Sequence, residues 1–428
     1  MRECKIDIAI FGAGPAGIAA AWQAGKDGKN VILIEATDRI GGVMGACPGM
    51  MLGAGYPMGH SIGGFFEEFV NRMYTADSPV AERRTCSLEN FGDEVVYYPE
   101  YGLTILYDML EEVGVTLFVG SIPEKVLVEK NKIIGVECLN SHERFLVEAE
   151  MYLDCTGNGE IGYRAGVPFT KGNQEGLMMG ASLTFMMENV DWDKAFEDIS
   201  DPYIEKHAAK GIEEGKIHKS IPQIYMLKGF KEGSVFFNTV TVTGVDGTDP
   251  QSVLKGTVIA RKRALELAKF MKEEVPGYEN AFVSGIGPSI GIRETRRLEG
   301  MYSVTYDDVA MATKFKDGIV ACDNPLDEVF RDENTTHYSH EAALKEGYYT
   351  IPFSALVPKK VENLMFAGRC MSVDIKAFAS VRGMPQCMLM GQAIAVAAVD
   401  AIENKCTVQE VSGEKINNRM KHMGVWGI

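Results

Sequence analysis

A chain of 428 residues is too long for one ordinary hydrophobic core, and its 46% hydrophobic and 24% charged content is that of a globular protein. A formal net charge of −16 argues against a nucleic-acid partner, and no apolar run reaches the ~18 residues of a membrane span. The nine cysteines are scattered without a CxxC pair, which excludes iron–sulfur and zinc cassettes of the usual spacing and leaves no metal site to expect. Their odd number, behind an N-terminus with no secretory h-region, predicts reduced thiols in a cytoplasmic protein.

In chain order, residues 6–11 predict a buried strand, 12–17 a turn, 18–26 a helix and 31–35 a second strand. Residues 36–64 are glycine-rich and irregular, as in a segment that wraps a ligand. Helices are expected near 65–73 and 102–113. A strand meander follows over 115–118, 124–129, 132–138 and 143–148, with a hairpin turn near Asn131, and a separate buried strand at 151–155. From about residue 166 the character changes to an acidic helical stretch (191–215), an alternating strand (234–243) and a long basic helix (250–274). Strongly apolar sequence returns with a strand at 361–368 and a helix at 385–403. The expected fold class is α/β. A discontinuous Rossmann-like nucleotide domain (residues 1–165 and 346–428) would carry an inserted α+β substrate or cap domain (166–345).

Gly12-Ala13-Gly14-Pro15-Ala16-Gly17 fits G-x-G-x-x-G between a strand and a helix. That placement allows a tight turn, close approach of backbone to a pyrophosphate, and a helix N-terminus aimed at it. Glu35 ends the second strand, 18 residues past Gly17, where a carboxylate accepts hydrogen bonds from ribose hydroxyls. Four further features favour FAD over a nicotinamide. Arg39-Ile40-Gly41-Gly42 can add an arginine and backbone N–H groups to the pyrophosphate. Asp154-Cys155-Thr156-Gly157 and Ala367-Gly368-Arg369 end later strands, and Arg382-Gly383-Met384-Pro385 opens the last long helix, whose positive end suits a flavin's N1–C2=O edge. Ala36, Val43 and Val126 complete the expected non-covalent cofactor set.

On these residues the chain resembles the FAD-dependent oxidoreductase family, on the fumarate reductase-type branch of the glutathione-reductase-like flavoproteins. The matching stretches are Ile10 to Gly17 with Glu35 and Arg39 to Gly42, Asp154 to Gly159 with Ala165-Gly166-Val167, Gly291 to Arg297 with Gly300, Tyr302, Thr305 and Asp308, and Ile351 to Pro358 through Gly368-Arg369 and Gly391-Gln392-Ala393. The resemblance implies bound FAD, a split FAD domain and redox catalysis, without naming a substrate. Many members of the superfamily carry Asp where Arg369 stands, and residues 322–345, with Asp323, Asp327, His337 and His340, match no pattern.

Arg293, Arg296 and Arg297 form the densest basic cluster. Arginine's planar fork suits a carboxylate or a developing enolate beside a flavin. The competing reading pairs these arginines with Glu294, Glu299 or Asp307, and it is preferred for Arg296 and Arg297. His60 is a candidate acid/base and Cys47 a candidate flavin-facing thiol, each against an ordinary structural role. Gly285 to Gly291 reads as a turn feeding Arg293 rather than a second nucleotide loop. The expected reaction is hydride transfer between flavin N5 and a small organic molecule, an anion among the candidates, at a C–C or C–O bond beside a carbonyl or carboxylate. A flavin monooxygenase, an electron-transfer subunit with an external carrier, a flavin-bound sensor and a homo-oligomeric assembly remain open.

Overall fold

The computed structural model describes residues 2–87, 90–198, 200–326, 344 and 347–428. Strand β1 (Arg2–Phe11) ends in four buried residues and turns into α1 (Pro15–Lys26), from which the chain returns along β2 (Val31–Ile34). The glycine-rich stretch holds α2 (Val43–Ala46), β3 (Leu52–Gly53) and a 3-10 turn at Pro57–Gly59. Helix α3 (Gly64–Tyr74) buries Phe65, Phe66, Phe69, Val70 and Met73, the spacing of a single apolar face. Strands β4 (Ala81–Thr85) and β5 (Asp93–Tyr97) join β3 in a small antiparallel sheet that the sequence does not announce.

Helix α4 (Pro99–Glu112) leads to β6 (Thr116–Phe118), β7 (Ile122–Glu129), β8 (Lys132–Leu139) and β9 (Arg144–Asp154). Two expectations change here. β6 lies parallel to β2 rather than in the meander. The strands expected at 143–148 and 151–155 are one strand, β9, with different neighbours at its two ends. Its first residues pair antiparallel with β8, and its last three pair parallel with β18 (Leu364–Phe366). Exposure alternates over the first half and vanishes over the last four residues, so periodicity suggested a break where only the neighbour changes. Among the described residues the sheet runs β6-β2-β1-β9-β8-β7, with β18 beside β9, so both ends of the chain build it.

After α5 (Glu160–Arg164), β10 (Phe169–Thr170) pairs with β15 (Arg297–Leu298). Between them lie β11 (Ala181–Glu188), α6 (Trp192–Ala195), α7 (Glu205–Glu213), β12 (Met226–Lys228), β13 (Val235–Val242), α8 (Pro250–Glu274) and β14 (Phe282–Ile286). These form an antiparallel sheet, β12-β13-β11-β14, with α8 packed on β11 and β13. The core beneath α8 draws residues from Ala181 to Ile290, including Phe185 stacked on Phe237 at 4.5 Å. β14 is an edge strand followed by no helix, in line with a simple turn at 285–291.

The remaining elements are α9 (Tyr306–Ala310), β16 (Gly318–Cys322), β17 (Tyr349–Pro352), α10 (Ile375–Val381), α11 (Met384–Asn404) and α12 (Gly413–His422). Val304, Val309, Ile319 and Val320 pack with α1 and α11 in the main core. Asp327, His337 and His340 lie outside the described residues. Helix α11 is long and apolar enough to cross a membrane, but 94% of its apolar window is packed inside the protein, which makes it a core helix. A cross-link also joins the two sheet systems. Arg84 bonds the buried Glu94 at 3.0 Å and donates to the Gly229 and Lys228 carbonyls, tying the small sheet to β12.

Candidate active site

The turn before α1 is built by steric necessity. Gly12 has φ +93° and its N–H donates to the Ile34 carbonyl, and a Cβ there would lie 2.4 Å from the Cys155 carbonyl oxygen. A Cβ on Gly17 would sit 1.8 Å from the Gly12 oxygen, so α1 can start here only with glycine at both places. Gly14 differs, because nothing lies within 4 Å of its Cβ position. Its backbone faces open space at the positive end of a 12-residue helix. Gly41 donates to the Ala13 carbonyl, and Gly42 packs against the Gly14 Cα, which lays the start of α2, with Val43, across the turn. The Glu35 carboxylate is held by three donors, Ala13 N–H at 2.7 Å and the Thr37 N–H and hydroxyl. Ala36 and Arg39 are exposed beyond it, Arg39 bonding the Gly45 carbonyl. Val126 packs in the cluster beneath Phe11 and Ile34.

On the opposite side of the turn stand the ends of β9 and β18. Asp154 is fully buried and accepts from Gly162 N–H and from Thr156 N–H and Oγ1, and burial raises its carboxyl pKa against those bonds. The Cys155 thiol, pushed up by burial, is inert packing. Gly368 (φ +86°) turns the chain, and the following Arg369 folds back over Gly157, where a Cβ would meet its Nη2 at 2.7 Å. Nη2 reaches Asn158 Oδ1 at 3.3 Å, while Nη1 is buried without a partner. Burial first, then the nearby Arg382 cation, lower the Arg369 pKa. Asn158 is further held by Thr295 and Arg296. Gly383 caps α11, whose first residue is Met384, and Gln386 ties that start to the Ala54 carbonyl. A Cβ on Gly391 would lie 1.9 Å from the Ala16 oxygen, so α11 presses directly on the first turn of α1.

A second group forms where the glycine-rich wrap meets the antiparallel sheet. Cys47 is buried beside Thr184 of β11, Arg293 and Tyr97 of β5. Burial raises the thiol pKa, and the Thr184 hydroxyl and the Arg293 cation oppose the rise. Thr184 Oγ1 lies against the sulfur without full hydrogen-bond geometry, and the buried Tyr97 hydroxyl has no partner. Arg293 donates to the Gly180 carbonyl at 2.9 Å and to Ser182 Oγ. The structure therefore brings together Cys47 and Arg293, which the sequence singled out separately. Arg296 bonds Glu160 and lies over Tyr163, and Arg297 pairs with buried Glu294, so both are structural. His60 is exposed, with its ring stacked on Trp426 at 4.6 Å. Tyr97 and Thr184 carried no sequence signal as site residues, since they lie on strands the pattern does not reveal, and Asn158 was marked only as part of the Asp154 to Gly159 stretch.

Residues 7–420 match the family model described as FAD dependent oxidoreductase. The chain belongs to this family. It is an FAD-dependent oxidoreductase, and FAD is its cofactor. Digeranylgeranylglycerophospholipid reductase 1 from Methanococcoides burtonii is 25% identical over 168 residues, 38% of this chain and 40% of that protein. Thiamine thiazole synthase from Desulfosudis oleivorans is 25% identical over 169 residues, 37% of this chain and 58% of its own. The alignments span only part of these curated relatives. Among solved structures, p-nitrophenol 4-monooxygenase from Pseudomonas putida superposes with TM-score 0.53 and 11% identity, covering 100% of this chain and 90% of that one. A flavoprotein/dehydrogenase from Cytophaga hutchinsonii gives 0.52 and 15%, covering 98% and 82%. These likenesses are of α/β fold alone.

The first group of residues fits the family's cofactor. An open glycine at a helix N-terminus and a buried guanidinium nitrogen lacking a partner are what a pyrophosphate would satisfy, with Glu35 at the ribose. Gly14 tests this directly. Its φ of −80° suits alanine and its Cβ would touch nothing, so Gly14→Ala should fold with an unchanged FAD-free melting temperature. Its methyl would instead occupy the ligand's space, and fluorescence titration should show FAD affinity lower by about tenfold or more. Unchanged affinity would move the pyrophosphate away from this turn.

Proposed function

We propose that this FAD-dependent oxidoreductase moves a hydride between FAD and a small organic substrate, at a C–C or C–O bond adjoining a carbonyl or carboxylate. When bound, FAD supplies the two-electron redox chemistry at N5. The observation that carries the substrate side is the Arg293 guanidinium beside the buried Cys47 thiol. Arg293, anchored on Gly180 and Ser182, can hold a carboxylate or carbonyl oxygen. The Tyr97 hydroxyl, buried and without a partner, can donate to the same group. Cys47 serves as proton carrier rather than nucleophile, because burial keeps its thiol neutral beyond the ordinary range. The domain division at residues 166 and 345 and a cytoplasmic location belong to the same proposal, the latter supported by the odd count of nine cysteines with no CxxC pair.

Anaerobic bleaching of the bound flavin against a panel of small carboxylates and carbonyl compounds tests this reading. Bleaching by one such compound supports it. Reduction only by NAD(P)H, with oxygen uptake coupled to hydroxylation, would replace it with a monooxygenase. Reduction only by dithionite would point to an external electron carrier. Once a substrate is in hand, Cys47→Ala should lower kcat by about a hundredfold, the usual worth of a positioned acid. The sign with pH follows from the raised pKa: the thiol donates while protonated, so the wild-type rate falls only as alkaline pH ionises it. That alkaline limb should vanish in Cys47→Ala, and a limb that persists assigns the proton to another group.

A further inference from the structure

The outer face of α8 is unlike the rest of the molecule. Leu254, Val258 and Leu265 are 56%, 47% and 53% exposed on this 25-residue helix. Their spacing of four and seven residues sets them within about 40° of one another around the axis. The opposite side, with Ala260, Ala264, Leu267 and Met271, is buried against the sheet, so the exposed stripe is not a misassigned core face. Four exposed lysines, Lys255, Lys262, Lys269 and Lys272, share the outer face with Arg261, whose guanidinium is tied to the Gly287 carbonyl, against exposed Glu266 and Glu273. Lys255, Lys262 and Lys272 form no ion pair among the described residues, and Lys269 reaches Glu273 only at 3.9 Å. In a chain of net charge −16, this is a local excess of positive charge around an apolar line.

We propose that α8 docks this face onto an anionic lipid bilayer, lying in the plane of the interface. Helices that rest on membranes combine a narrow apolar stripe with flanking lysines whose stems follow the apolar surface while their ammonium groups meet lipid phosphates. A second copy of the chain is a poor occupant. A symmetric contact would face five cations with five cations and only two glutamates on each side. A nucleic acid would leave the apolar stripe uncovered at the centre of the contact. The overall negative charge opposes approach only within a screening length of about 8 Å at physiological salt, which the α8 cations would dominate at contact. This docking is independent of the substrate reading above, because none of its residues is among Cys47, Tyr97, Thr184 and Arg293.

The test is co-sedimentation of the FAD-loaded protein with vesicles of phosphatidylcholine alone or mixed with phosphatidylglycerol. The bound fraction should rise about tenfold or more on the anionic vesicles and fall at high salt. The triple variant Leu254→Glu, Val258→Glu, Leu265→Glu should lose that binding. It should keep the flavin spectrum and melting temperature, since all three side chains point to solvent. No binding of the wild type to anionic vesicles overturns the proposal, as does equal binding by the triple variant. Concentration-dependent dimerisation abolished by the same substitutions, without vesicle binding, would assign the face to a second copy instead. Preferential binding of an unrelated oligonucleotide would assign it to nucleic acid.

Discussion

Arg369→Met should make the FAD-free protein more heat-stable while weakening FAD binding by two to three orders of magnitude. Both halves follow from one atom. Arg369 is a half-buried cation that bonds Asn158 through Nη2 while its Nη1 is buried and unpartnered, and its pKa is lowered first by burial and then by the Arg382 charge. Among the described groups, no carboxylate contributes to holding it charged. Exchanging such a group for an apolar side chain of similar length removes a desolvation cost and is often stabilising by about 1–4 kcal/mol. The same exchange deprives a bound pyrophosphate of a buried counter-charge. Breaking a buried pair costs about 3–5 kcal/mol, which at about 1.4 kcal/mol per decade gives the expected loss of affinity. Differential scanning fluorimetry with and without FAD, beside a fluorescence titration, reads both quantities. A variant that loses stability without FAD and keeps its affinity would make Arg369 a purely structural residue.

Gly391→Val should be the most damaging single change in α11. Its Cβ would stand 1.9 Å from the Ala16 oxygen and 2.6 Å from the Ala16 carbon, both backbone atoms that no rotamer change can move. Relief requires α11 and α1 to separate, and α1 carries the nucleotide turn. Ordinary overpacking costs about 1–3 kcal/mol, and a backbone collision at this distance exceeds that range, against a total stability of about 5–15 kcal/mol. The expected result is little soluble protein, and that fraction devoid of FAD at concentrations that saturate the wild type. Wild-type yield and flavin content in Gly391→Val would show that the two helices pack less closely than described.

The sequence made the nucleotide half legible because its chemistry is local. Gly12 to Gly17, Glu35 and the strand–turn–helix around them are contiguous, and steric demands at Gly12 and Gly17 leave no other residue possible. Helix α8 was legible too, its bounds following from Pro250 at the first turn and a long amphipathic period. β11 was hidden because it is covered on both faces: seven of its eight residues are buried, so no alternation marks it. The small β3-β5-β4 sheet was hidden for the opposite reason, its strands being two to five residues long and two of the three rich in charged residues. Cys47 and Arg293 could be suspected singly, but their meeting depends on β5 and β11, as does the part played by Tyr97 and Thr184. Arg369 stood out as a departure from the superfamily's acidic residue, yet its orphaned nitrogen could be seen only in three dimensions.

The fork in β9 makes one sheet depend on distant stretches of the chain. Its last three residues find their second neighbour in Leu364–Phe366, more than two hundred positions downstream, and Arg369 follows that neighbour. A chain cut before residue 364 would keep the glycine turn yet lack both that strand and that arginine, so neither stretch alone assembles the proposed cofactor cradle.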